Sequence, residues 1–535
     1  MYHNFLLILI LLFAVFLLMM LAQRIKISYP IFLVIAGLGI SYLPGLPVVN
    51  IDPHLIFLIF LPPLLYEAAW YTSWNDFWRL KRPIGLLAFG LVIFTSAAVA
   101  YVSNAVVPGF TLSLGFLLGG IISPPDAVAA SSVLKDVKVP KRIITILQGE
   151  SLINDASSLI VFRFALAAVL TGQFSMQVAV SQFFIVTFAG ILIGLSIAHV
   201  MYVIHRFLPT TPSIDAALTL ISPYFMYIAA EEFHYSGVMA VVSGGLFLSY
   251  RSHEIFAEGQ NRIQTIAVWS TLISVLNGLV FILIGLELPL IVRGLGNYSV
   301  GDAWKYALLI SAVIIVVRLV WIYPAAYIPR WLFKGIRNRE DKPGWKQLLL
   351  ISWAGMRGVV SLASALSIPL LLENGKEFPH RNLILFITFI VILITLVFQG
   401  LSLPLIARLI KIEDAHVMPP GEQEAGIRIR MMKASLERLN KLYAEDAERN
   451  ELVGFLKSEL ENDITAAGRR LQSLSCDDTD KDEIERYNSI LYDLYNVQRL
   501  ELFKLKTEKI FSDEEIRKQE MQVDLDQMKI SRHPD

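Results

Sequence analysis

The chain has 535 residues, of which 55% are hydrophobic and 17% charged, with a formal net charge of zero and a mean hydropathy of +0.57. Soluble domains carry about a quarter charged residues, so this composition excludes an ordinary soluble enzyme. The balanced charge argues against a nucleic-acid partner. One cysteine, Cys476, excludes an internal disulfide and a cysteine-based metal cluster.

Apolar runs long enough to cross a bilayer, about 17–25 residues each, recur along residues 1–410. Thirteen are predicted, near 4–22, 29–46, 54–71, 83–103, 112–133, 143–170, 178–204, 214–231, 235–250, 265–288, 303–328, 347–371 and 383–410. The first lacks the basic flank of a signal peptide and its apolar core is too long for one, so it reads as a membrane helix. Cytoplasmic loops collect Lys and Arg. The odd-numbered loops hold eighteen of them, the even-numbered ones only Arg293, Lys376 and Arg381. This places the N-terminus outside and the C-terminus in the cytoplasm of a multi-pass protein of the plasma membrane. Residues 411–535 are rich in charge and contain no spanning run. Leu436, Leu439, Leu442 and Tyr443, then Ile490, Leu491, Leu494 and Tyr495, recur at helical spacing and predict a cytoplasmic tail of amphipathic helices. Neither GxxxxGK[ST] nor a helix-opening GxGxxG occurs there, so no nucleotide is expected.

A charge within a membrane helix costs about 3 kcal/mol or more and usually has a function or a partner. In the third segment Glu67 follows Pro62 and Pro63 and either reaches a central site through water or sits at the interface. The fifth segment is interrupted by residues 121–129, ISPPDAVAA. Two consecutive prolines remove two backbone donors and push the preceding residue out of helical geometry. Two half-helices are therefore expected, with carbonyls of Ser123 to Pro125 free for a cation and Asp126 capping the second half or ligating the ion.

The sixth segment carries Glu150, Ser151, Asn154 and Asp155. Ser151 and Asp155 are four apart and share one helical face; Glu150 and Asn154 share the neighbouring one. Carboxylate, hydroxyl and amide oxygens are hard ligands suited to sodium, and a carboxylate can hold a proton instead. Asp155 is thus the predicted ion carrier, unless it only bonds a neighbouring helix. In the twelfth segment Arg357 lies between Gly355 and Gly358 and needs a carboxylate, for which Glu150 is the expected partner. Arg318, Glu231, Glu232 and Glu287 are read as snorkelling near helix ends, and Arg163 as balancing an acid.

The two interrupted helices are seven apart, which gives them opposite directions. Helices 1–6 and 8–13 then form two halves of inverted topology, the pattern that points to a secondary-transport site at the midplane. The fold class expected is an all-α polytopic membrane protein with an exchange domain at 1–410 and a tail at 411–535. A passive cation channel remains a rival. An intramembrane hydrolase fares worse, since no spanning segment brings a histidine to Ser151 and GxSxG is absent.

On LPPLLYEAAW (61–70), SPPDAVAA (123–130), GESLINDASSLIVFRFA (149–165), SGVMAVVSGGL (236–246) and AGMRGVVSLA (354–363), the chain resembles the NhaP-type sodium/proton antiporters. The resemblance spans roughly residues 5–410. It implies thirteen helices, a homodimer with its interface apart from the ion-carrying bundle, and elevator-like movement. Asp155 would bind the ion with help from Ser151, Glu67 would lie close by, and Glu150 would pair with Arg357. An Asn-Asp pair goes with electroneutral exchange in such relatives, without cofactor. Where many relatives have Ser-Pro-Thr-Asp-Pro, this chain has Ser-Pro-Pro-Asp-Ala. Pro125 could therefore contribute only its carbonyl, and the choice among sodium, lithium and potassium stays open.

Overall fold

A computed structural model of the chain describes residues 2–42, 53–135, 137, 139–172, 176–256, 259–295, 298–339, 342–372, 376–410, 420–474, 479–508 and 513–530. The end of the second predicted segment, Cys476 and the expected junction after residue 410 lie outside them. The chain divides into two compact units, Met1–Glu413 and Asp414–Asp535.

The first unit is a bundle of helices in the predicted order. We label them α1 (Tyr2–Ile25), α2 (Tyr29–Ser41), α3 (Pro53–Tyr71), α4 (Lys81–Val106), α5a (Leu112–Ile122) and α5b (Ala127–Leu134). There follow α6 (Lys141–Thr171), α7 (Met176–Phe207), α8 (Pro212–Glu232), α9 (Gly237–Tyr250) and α10 (Gly259–Leu286). The last are α11 (Val300–Leu332), α12a (Trp345–Trp353), α12b (Val359–Leu366) and α13 (Arg381–Ile410). Among the described residues, eight helical stretches are long and apolar enough to span a bilayer, and Leu9–Ile25, Tyr29–Ser41 and Gly237–Tyr250 are shorter apolar helices.

Local chemistry explains the ends. Thr111, Thr211 and Ser236 accept the backbone N–H three residues on and start α5a, α8 and α9. Gly172, in the left-handed region, closes α6. Helices α5 and α12 each break midway, at Ser123–Asp126 and Ala354–Gly358, as the double proline and the glycine-flanked arginine predict. Two π-helical stretches, Leu86–Leu91 in α4 and Thr395–Gln399 in α13, turn groups toward the centre. The Ala88 carbonyl accepts from Ser157 Oγ at 2.5 Å, and Thr395 Oγ1 accepts from Arg357 N at 3.1 Å. Phe184, Phe188 and Leu192 lie on one exposed stripe of α7, the surface a bilayer would cover.

At the bundle end carrying the even-numbered loops, His380 ties three turns together. Its ring bonds Tyr298 Oη through Nδ1, donates to the Gly109 carbonyl and packs edge-on against Phe110 at 5.3 Å between centroids. Burial holds His380 below the ordinary histidine range, with the bond to Gly109 opposing. The neutral ring is the bound form, so its contribution to stability is complete above the unfolded value of about 6.5 and is lost as pH falls toward the depressed folded value. A melting-temperature series from about pH 7.5 to about pH 5 should slope less in His380→Gln than in wild type; parallel slopes would remove the assignment.

The second unit comprises α14 (Pro420–Leu442), α15 (Glu451–Leu474), α16 (Thr479–Glu508) and α17 (Asp513–Ile530). Helix α14 packs along α15 and α16 along α17, where Arg499 meets Asp524 at 2.5 Å. Of the apolar residues predicted to form the buried faces, Leu439 is buried, whereas Leu442, Tyr443, Ile490 and Leu494 are exposed.

Candidate functional site

The two breaks meet. Asp126 N–H donates to the Met356 carbonyl at 2.7 Å, so the extended segments of α5 and α12 are bonded directly to each other. Asp126 caps α5b, its Oδ1 accepting from Val128 N at 2.8 Å and Ala129 N at 3.3 Å. Its Oδ2 lies 1.8 Å from where a Cβ on Gly358 would stand, at the start of α12b. One carboxylate therefore faces two helix N-termini, where negative charge is favoured, and only glycine fits at 358.

Arg357 is the opposite counterpart. Its Nε donates to the Ile122 carbonyl at 3.0 Å, at the C-terminal end of α5a, and its Nη1 to the Gly355 carbonyl just past α12a. A guanidinium thus satisfies carbonyls that the two broken helices leave open. This corrects the expected Glu150–Arg357 pair. The partner of Glu150 is Arg318, bidentate at 2.5 and 2.8 Å, and both side chains are fully buried. Arg318 also donates to the Ile351 carbonyl, at 3.3 Å from Nε and 3.1 Å from Nη2. Helix α11 runs to Leu332, which puts residue 318 near its middle and out of reach of water, so the snorkelling reading of Arg318 is also corrected. Gly355 permits the stacking, since a Cβ there would come 2.5 Å from Arg318 Cδ and 2.9 Å from Arg357 Nη1.

Beside the breaks lies a cavity of about 610 Å³. Asp155, Ser151, Glu67, Pro125, Asn277 and Ser361 are among its lining residues, and it reaches the surface at the exposed Lys135 and Tyr71. Asp155 is 8% exposed, and among the described residues its carboxylate has no hydrogen-bond or ion-pair partner. Ser151 Oγ accepts from Ala127 N at 3.2 Å and tethers α6 to the start of α5b. Ser123, predicted at the crossover, is buried off the cavity with Oγ on the Gly120 carbonyl at 3.3 Å. Asn154 does not line the cavity. It is fully buried, and among the described residues both side-chain polar atoms lack a partner. Adjacent residues on a helix point about 100° apart, so a helix that presents Asp155 turns Asn154 away.

Sequence reasoning did not pick out Tyr29, Asn277 and Ser361, which also line the cavity. Ser361 Oγ is buried without a partner among the described residues. Its signal was the run of small residues after the broken arginine motif. Away from the cavity, Arg163 on α6 meets Glu231 on α8 at 2.6 Å, closing the side where Glu231 Oε1 also accepts from Gly237 N at 3.1 Å.

A family profile described as sodium/hydrogen exchanger, transmembrane, matches residues 8–409. The chain is 36% identical over 388 residues to a Bacillus subtilis protein named sodium, potassium, lithium and rubidium/H(+) antiporter; the match covers 70% of this chain and 58% of that relative. The match to its Bacillus pumilus counterpart also covers 58% of that relative. An Escherichia coli protein named an uncharacterized Na(+)/H(+) exchanger is 32% identical over 423 residues, covering 75% of this chain and 76% of its own. The structure of a sodium proton antiporter from Methanocaldococcus jannaschii superposes with a TM-score of 0.58 at 19% identity, covering 75% of this chain and 97% of that one, a likeness of fold.

Proposed function

The chain belongs to the transmembrane sodium/hydrogen exchanger family, and from that premise we propose that it exchanges sodium ions for protons by competition at Asp155. The observation that carries this reading is a buried carboxylate without an internal partner on a cavity that reaches one surface. Such a group must take a cation or a proton to be stable where it lies. Ser151, the Pro125 carbonyl and Glu67 are the further ligands we assign.

Charge balance supports one-for-one exchange. Asp155 carries a single negative charge, and both cargoes are monovalent. One Na+ or one proton cancels that charge equally, so the two loaded states carry the same charge when they cross. The cavity mouth lies on the side of the Lys- and Arg-rich loops, at Lys135 and Tyr71, and the Arg163–Glu231 bridge lies toward the opposite end. This is the arrangement of alternating access with the site facing the cytoplasm, the N-terminus outside and the tail inside, in the plasma membrane. The membrane unit carries transport and the tail has a cytoplasmic role. The exposed row Ile490, Leu494 and Val497 on α16 supports pairing of two copies into a homodimer.

The test uses proteoliposomes with an imposed pH gradient and a pH-sensitive dye, adding sodium, lithium and potassium in turn. Sodium-driven collapse of the gradient, unchanged when the membrane potential is clamped, is the expected result. A response to potassium alone would move the substrate assignment to K+/H+ exchange by the same carboxylate, an ion that the Bacillus relative's name includes. Collapse that tracks the potential would end the electroneutral reading, and no response to any cation would end the transport assignment.

A further inference from the structure

A second cavity, of about 330 Å³, lies on the other side of Glu67 and Tyr71, which line both spaces. Its wall is aromatic: Trp70, Trp74, Tyr250 and Trp269 front it together with Tyr71. The rings brace one another. Trp70 packs edge-on against Phe256 at 5.9 Å, Trp74 stacks on Trp78 at 5.6 Å, and Trp74 meets Tyr250 at 6.0 Å.

Part of the polar lining is committed elsewhere. Ser249 Oγ donates to the Trp70 carbonyl, Thr72 Oγ1 donates to the Ala68 carbonyl, and Ser73 Oγ accepts from Asp76 N. Two of the remaining groups stand out. Thr265 Oγ1 is buried without a partner, and the Glu67 carboxylate has no hydrogen-bond or ion-pair partner among the described residues. The basic residue in the lining, Arg262, has an exposed side chain.

A carboxylate in a pocket rich in aromatic rings suits a large soft cation better than a bare metal ion. Beyond the lining, Trp78, on which Trp74 stacks, carries a cation, with Lys81 Nζ 4.3 Å from its ring centre. The volume falls within the range of small-molecule sites, about 300–1,000 Å³.

We propose that this pocket binds organic monocations of the quaternary-ammonium class, with the charge against Glu67 and the body against Trp74 and Tyr250. An occupant holds Glu67 away from the sodium cavity. On the reading that Asp155 and Glu67 serve sodium from this side, it slows exchange by raising the sodium concentration needed, with the maximal rate unchanged.

Benzyltrimethylammonium is the probe, titrated calorimetrically into the purified full chain at constant ionic strength. Saturable binding is expected in wild type and in Asp155→Asn. It should weaken about three- to tenfold in Trp74→Ala and in Tyr250→Ala, the loss of one aromatic contact with the probe's body, and further in Glu67→Gln. Both aromatic residues are exposed at the rim, so these variants should fold. No saturable binding in wild type overturns the proposal. Binding that disappears in Asp155→Asn but survives Trp74→Ala and Tyr250→Ala overturns it too, because the probe would then be reading the sodium cavity. Because binding is read without transport, a failed exchange assay would remove the antiport reading and leave the pocket standing.

Discussion

Asp155→Asn should abolish cation-coupled proton movement while the protein folds as well as wild type. The substitution keeps the shape of the side chain and removes the only feature that the mechanism needs, a charge that either cargo can neutralise. Because Asp155 is buried without a partner, its replacement also removes a desolvated charge, and the melting temperature of the variant should equal or exceed that of wild type. Sodium should raise the melting temperature of wild type, since a ligand at about a hundred times its dissociation constant adds about 2.7 kcal/mol, and should leave the variant unmoved. In wild type, one-for-one competition makes the half-saturating sodium concentration climb about tenfold for each unit of falling pH once protons occupy the site. Sodium stabilisation that survives in Asp155→Asn would place the cation elsewhere.

The second large effect is structural. Arg318→Ala strands Glu150 in a region that water does not reach. Removing one member of a buried pair costs about 3–5 kcal/mol, a large share of the total stability of an ordinary domain. The expected outcome is little monodisperse protein on size-exclusion chromatography and a sharply lowered melting point. Adding Glu150→Gln should recover part of the loss by discharging the stranded acid. Arg357→Ala should give a smaller loss, from carbonyls at Ile122 and Gly355 left without their donor. If Arg318→Ala melted like wild type while Arg357→Ala collapsed, the pairing would revert to the one first expected from the sequence.

That reversal shows where the sequence stops informing. The double proline at 124–125 and the glycines around Arg357 dictate where helices break, because those effects are local to the backbone. The position of Asp155 far from either end of its apolar run marks it as the candidate ion carrier, because a charge at that depth is costly. Pairing is not local. Glu150 had two arginines within plausible reach, and the choice depended on how far α11 continues beyond residue 328 and on the space that Gly355 leaves between them. The helical repeat separates Ser151 and Asp155 from Glu150 and Asn154 but does not say which pair meets the cavity. Ser361 and Asn277 were hidden because a serine or asparagine in a small-residue helix carries no charge to draw notice.

Gly355 has an evolutionary corollary. A methyl group at that position is barred by the two guanidinium side chains stacked over it, and one of those is present to answer Glu150. Positions 150, 318 and 355 therefore cannot drift one at a time. A descendant that traded the Glu150–Arg318 pair for apolar side chains would remove the nearer obstacle to alanine at 355 and leave only Arg357, whereas a descendant that keeps the pair must keep the glycine. Among diverged copies of this chain the three positions should change as a block.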